Sequence, residues 1–147
     1  MLIYHYTNIQ PSKIKKDGLL CSYKSEDTEI INEILNEVEE HPNWIDRNYC
    51  LFFQFHKETE VGEYIITIDT HVLDSKELYV ADLTIAQNIF DAIYYGKGEL
   101  FLTLANQYWD SIMSFNNYMK NDTCYNNPEI LYLRNINPQQ IYCMEKV

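Results

Sequence analysis

Apolar positions along this chain change period several times, and each change marks an element. Residues 2–6, LIYHY, are a short apolar and aromatic run that predicts a strand. Pro11 suits a first helical turn, and Gly18 suits the left-handed position just past a helix end, so a helix is expected over 11–17. Residues 26–40, EDTEIINEILNEVEE, carry Ile30, Ile31, Ile34, Leu35 and Val38 at helical spacing, with glutamates on the opposite face. Pro42 ends that helix. Residues 49–55, YCLFFQF, are short and aromatic enough for a strand covered on both faces. Two further strands are expected at 64–69, YIITID, and 76–82, KELYVAD.

Thr84 and Gln87 have the spacing of a capping box, opening a helix with Ile85, Ile89, Ala92 and Ile93 inward. YYGKGE at 94–99 interrupts the pattern. Helical spacing resumes over 99–119 through Leu100, Leu104, Tyr108, Ile112 and Phe115. After a polar loop at 120–128, EILYLR (129–134) and QIYCME (140–145) flank NINPQ and predict a terminal hairpin. Strands and helices follow one another without regular alternation. The expected class is therefore α+β, one domain over 1–147 with a small mixed or antiparallel sheet and inserted helices.

Composition narrows the chemistry. The 147 residues suffice for a single core, and 22 acidic against 11 basic residues give a net charge of −11. Binding of duplex nucleic acid through bulk charge is disfavoured, because it rests on neutralising phosphates with Lys and Arg. The thirteen tyrosines fit the bias of an AT-rich genome. Apolar runs fall far short of the ~20 residues of a membrane span, and the start has no signal-segment pattern, so a cytoplasmic protein is expected. Cys21, Cys50, Cys124 and Cys143 form no CxxC pair and no zinc spacing, and read as buried free thiols with no metal site. His41 and His56 read as surface residues. Rossmann, P-loop, nucleophile-elbow and HExxH motifs are all missing from the sequence.

His5, between Tyr4 and Tyr6, is either a core histidine satisfied by a carbonyl or a ligand-binding one. Ile3 to Thr7, then Ile14 and Gly18 to Leu20, resemble the first motif of the ADP-ribosyltransferase fold. The likeness is to the group of RNA 2′-phosphotransferases and DarT-type DNA ADP-ribosyltransferases. RNYCLFFQF (47–55) resembles that group's second core strand, with its nearby arginine. NPEILYLRNINPQQIYCME (127–145) resembles its closing strands, where a glutamate begins a strand after a loop.

The resemblance implies an enzyme that cleaves the nicotinamide–ribose bond of NAD and moves ADP-ribose to a macromolecular acceptor, nucleic acid or protein. It allows a toxin or phage-conflict role, with an antitoxin or inhibitor as partner. Glu129 would be the catalytic carboxylate at the ribose, against the alternative of an exposed strand-end glutamate. Arg47 would grip a phosphate or place the acceptor, against a surface pairing with Asp46 or a nearby glutamate. His5, Tyr6 and Thr7 would bind NAD, with Gly18 and Leu19 lining the same cleft. Tyr23, Tyr49 and Phe53 are the candidates to stack on nicotinamide. Two departures stand out: Asn127 lies where many members carry Gln or Glu, and the insertion 24–46 is acidic. Phosphotransfer ranks low, since an obvious basic set is lacking. The alternatives are a catalytically inactive member of this fold that binds NAD or a nucleotide, and an acidic interaction module built on helix 26–40.

Overall fold

The computed structural model describes residues 1–22, 26–39, 41–58, 62–122 and 124–147, with backbone alone at 26–28. The first strand, β1 (Leu2–Thr7), runs antiparallel to β3 (Tyr64–Asp69), which in turn pairs with β7 (Ile141–Lys146). A second antiparallel sheet has the order β2 (Leu51–Phe53), β6 (Pro128–Tyr132), β4 (Leu78–Asp82), β5 (Met113–Ser114). The class is α+β, as the pattern predicts.

Alternation along β4 and β6 sorts their side chains to two cores. Leu78, Val80, Ile130 and Tyr132 face the first sheet and meet Ile3, Ile66 and Ile68 there. Ala81 and Leu131 face the other way, toward helices α2 (Glu26–Asn36), α3 (Leu83–Tyr94) and α4 (Phe101–Ser111). The second sheet is thus a middle layer, covered on both faces. That explains why LFF is apolar without interruption: Leu51 and Phe53 fill the first core while Phe52 packs against the second.

Helix α1 (Pro11–Asp17) is the element read most closely from its ends. Proline stands in its first turn, and Gly18 follows at φ +77° with its N–H donating to the Ile14 carbonyl at 2.8 Å. A Cβ on Gly18 would lie 2.0 Å from the carbonyl oxygen of Ile136. Next to it, Leu19 and Ile136 exchange two backbone hydrogen bonds of 2.9 Å. Gly18→Ala must therefore part this crossing as well as strain the backbone. Thermal unfolding is expected to show a loss of about 3 kcal/mol or more, well beyond the ~1 kcal/mol of an ordinary Gly→Ala strain. A variant that melts with the wild type would contradict the crossing.

Several expectations are corrected. The terminal pair of strands is not a hairpin: β6 joins the second sheet and β7 the first. NINPQ has the polarity of a turn, but Ile136 within it is buried against Leu19, which carries the chain from one sheet to the other. The 99–119 helix is broken. Ile112 turns extended, Met113–Ser114 pairs with β4, and the Ser114 side chain then accepts from Asn117 N–H to cap a new helix, α5 (Phe115–Lys120). Helix α3 is capped by Asp82, whose carboxylate accepts from Thr84 N–H, and not by a box from Thr84. Helix α2 stops at Asn36, short of residue 40. Arg47–Tyr49 and Ser75–Glu77 are single 3-10 turns capped by Asp46 and Asp74, so β2 and β4 begin later than expected.

Candidate active site

The second core contains the one cluster of buried charge among the described residues. Arg47 enters from the 3-10 turn before β2, and Glu129 from the second position of β6, on the same face as Leu131. Each is 4 % exposed. The Arg47 Nη1 donates to Glu129 Oε1 and to the hydroxyl of Tyr108 on α4. The Tyr108 hydroxyl in turn donates to the same Oε1 at 2.5 Å. Arg47 Nε donates to Asn32 Oδ1 on α2 at 2.8 Å, and Asn32 Nδ2 reaches Asn48 Oδ1 at 3.2 Å. The guanidinium carbon also lies 4.5 Å from the centre of the Phe52 ring and 4.9 Å from that of Tyr108. Among the described residues, Glu129 Oε2 takes no hydrogen bond, while Oε1 takes two.

Electrostatics agree with a charged guanidinium and a protonated phenol. Burial alone would lower the Arg47 pKa, but Glu129 and Tyr108 beside it more than offset this and hold it above its ordinary value. Burial raises Tyr108 well above the usual phenol range; the neighbouring guanidinium works against that rise and the carboxylate adds to it. The Cys50 thiol, next to this cluster, is pushed by burial up to about 12 and donates to the Asp46 carbonyl at 3.0 Å. It is therefore no nucleophile at neutral pH.

His5 does not join this cluster. It stands on the first-core side of β1 beside Phe53, with ring centres 5.5 Å apart, and its Nδ1 lies 2.8 Å from the Phe52 carbonyl. A ring nitrogen so placed carries the hydrogen and donates it. The second sheet thus separates His5 from Arg47 and Glu129, and Phe52 is the residue they share: His5 meets its carbonyl, Arg47 its ring. Of the two readings of His5, the one the geometry satisfies is the core histidine bound to a carbonyl.

Burial lowers the His5 pKa below 6.5, with the Phe52 carbonyl pulling weakly the other way. The unfolded chain then takes up a proton that the folded one refuses, so stability is flat above about pH 6.5 and falls below it, by up to about 1.4 kcal/mol per pH unit. His5→Asn retains a donor for the carbonyl and removes the titration. Urea unfolding at pH 7.5 and 5.5 should show a shallower acid loss in the variant; equal losses would place the titration elsewhere.

The remaining expected NAD contacts scatter. The Tyr6 hydroxyl accepts from Glu58 N–H, and Thr7 Oγ1 accepts from Ile9 N–H at 3.1 Å in a local turn. Gly18 and Leu19 form the crossing with Ile136, where close backbone approach serves packing. Phe53 is 1 % exposed and fills the first core, so it offers no free face for stacking. Tyr49 is exposed at the outer end of the turn that carries Arg47. Tyr23 lies outside the described residues. A groove of about 490 Å³ opens between α1 and β7, lined by Pro11, Lys15, Tyr64, Ile141, Met144 and Lys146 among others, and no member of the Arg47–Glu129 cluster lines it.

Tyr108 and Asn32 are the members that sequence reasoning missed. Tyr108 stood at an apolar helical position and read as packing. Asn32 was the available signal: it falls three residues before Leu35, on the inward stripe of α2, and is fully buried there. Other expectations are also adjusted. Asn127 sits half-buried with its carbonyl accepting from Leu83 N–H and its amide donating to Gln87. His41 is half-buried against Trp109, while His56 is exposed. Cys21 and Cys50 are buried, but Cys124 is exposed and Cys143 half-buried. Among the described residues, no three His, Cys, Asp or Glu side chains come together as a metal site, and no helix is long and apolar enough to cross a membrane. No family model, curated protein or solved structure matches this chain.

Proposed function

We propose that the chain is an NAD-dependent ADP-ribosyltransferase acting on a macromolecular acceptor, nucleic acid or protein, with Glu129 as its carboxylate and Arg47 as its anion-binding partner. The observation that carries this reading is the meeting of Arg47 and Glu129, 82 residues apart in the chain, in one buried cluster, although His5 does not join them. A carboxylate with one oxygen clamped and the other without a partner among the described residues suits acceptance of a ribose hydroxyl and stabilisation of the cation that forms as nicotinamide leaves. The guanidinium offers a planar fork for a phosphate oxygen. Substrate reaches the pair only if α2, which holds Arg47 through Asn32, gives way. A toxin or phage-conflict role accords with such an activity.

Labelled NAD incubated with the protein and a cell lysate, with Glu129→Gln alongside, tests the proposal. Label on a macromolecule, or released ADP-ribose, is expected from the wild type. Neither product would overturn it. One observation favours a second reading: the pair is nearly inaccessible to solvent. On that reading Arg47 and Glu129 only pin α2 and α4 to the sheet of a catalytically inactive relative of these enzymes, and NAD binding without turnover identifies it.

A further inference from the structure

We propose that the Tyr108 hydroxyl is the positioning group for Glu129, holding Oε1 so that Oε2 is the oxygen presented to a substrate hydroxyl. This inference rests on the transferase reading above. A carboxylate accepts at either oxygen and swings freely about its last bond unless neighbours fix it. Here both donors converge on Oε1 from opposite parts of the chain, Arg47 before β2 and Tyr108 on α4.

The two donors are not equivalent. Arg47 is shared among Asn32, Tyr108, Glu129 and the Phe52 ring, so it moves with α2 when that helix gives way. Tyr108 is fully buried, and its ring lies edge-on to Trp109 at 5.1 Å. Packing of this kind locks the rotamer of a supporting side chain, which is what a site needs to hold its reacting group in place. Because burial keeps the phenol protonated, it serves the carboxylate as a donor throughout the neutral range.

Tyr108→Phe removes one oxygen and leaves the Arg47–Glu129 pair in place. Steady-state NAD cleavage, referred to the folded fraction from urea unfolding, is expected to show kcat reduced about 10- to 100-fold with KM changed less than about twofold. Placing 3-fluorotyrosine at position 108, which restores a hydroxyl in the same shape, is expected to restore kcat to within about threefold of the wild type. A Tyr108→Phe kcat within about twofold of the wild type, or a loss that only follows the folded fraction, overturns the positioning role while the transferase reading stands. A wild type without turnover, or a Glu129→Gln variant as active as wild type, overturns that reading and this inference with it. Failure of fluorotyrosine to rescue also overturns the role of the hydroxyl.

Discussion

Arg47→Met is expected to cost about 3–5 kcal/mol of folding stability, read as a lower urea midpoint with an unchanged slope. The methionine fills much of the same volume and packs against Phe52 and Tyr108 as the arginine stem does. What it removes is the only cation within reach of the Glu129 carboxylate among the described residues, at a site 4 % exposed to water. A buried carboxylate without its partner must either bear its desolvation or take up a proton, and both disfavour the folded state. Asn32 loses its donor as well, and is itself fully buried. The double variant Arg47→Met/Glu129→Leu removes both charges and should recover most of the loss, because the penalty belongs to the unpaired charge and not to the missing attraction. If the single variant is as stable as the wild type, the pair is solvated and the buried geometry is wrong.

Glu129→Gln is expected to lower kcat for NAD cleavage about 10²- to 10³-fold, equivalent to about 2.7–4 kcal/mol of transition-state stabilisation. Glutamine keeps an oxygen to accept from Arg47 and Tyr108, so the loss of fold is smaller than for alanine. What disappears is the negative charge opposite a ribose turning cationic, and that charge acts mainly in the transition state. The change should fall on kcat with KM little affected, measured by nicotinamide release. A proportionate rise in KM at unchanged kcat would instead make Glu129 a ground-state binding group.

Local signals were legible where one stretch of chain decides its own structure. Pro11 and Gly18 bound α1 because the missing N–H and the positive φ are demands made within that segment. YIITID reads as β3 because a central strand flanked on both edges needs little beyond its own apolar run. Where partners far along the chain decide, the pattern misled. Nothing between Ile112 and Phe115 is a helix breaker; the helix stops there because Met113 and Ser114 find backbone partners in β4, more than thirty residues earlier. NINPQ resembles a turn, and only the socket formed by Gly18 and Leu19 reveals it as a passage between sheets.

The site divides in the same way. Arg47 and Glu129 were linked by resemblance and by nothing in their spacing, and they meet because β2 and β6 are neighbours in one sheet. His5 was grouped with them by order along the chain. Strand alternation on β1 turns it instead to the other side of that sheet, where Ile3 also points. Tyr108 was hidden because a tyrosine on an inward helical stripe reads the same whether its hydroxyl is idle or bonded to a carboxylate.

The parting of β6 and β7 into different sheets also governs when this protein can form. β3 is the central strand of the first sheet, yet its second neighbour is supplied by residues 141–146. Until a ribosome has released those residues, β3 keeps an open edge and Ile66 and Ile68 lack part of their cover. Glu129, which completes the charge cluster, emerges only shortly before. A nascent chain of this kind has neither a closed core nor a finished site, so its maturation waits for synthesis through residue 146 and depends on whatever shields that edge in the meantime.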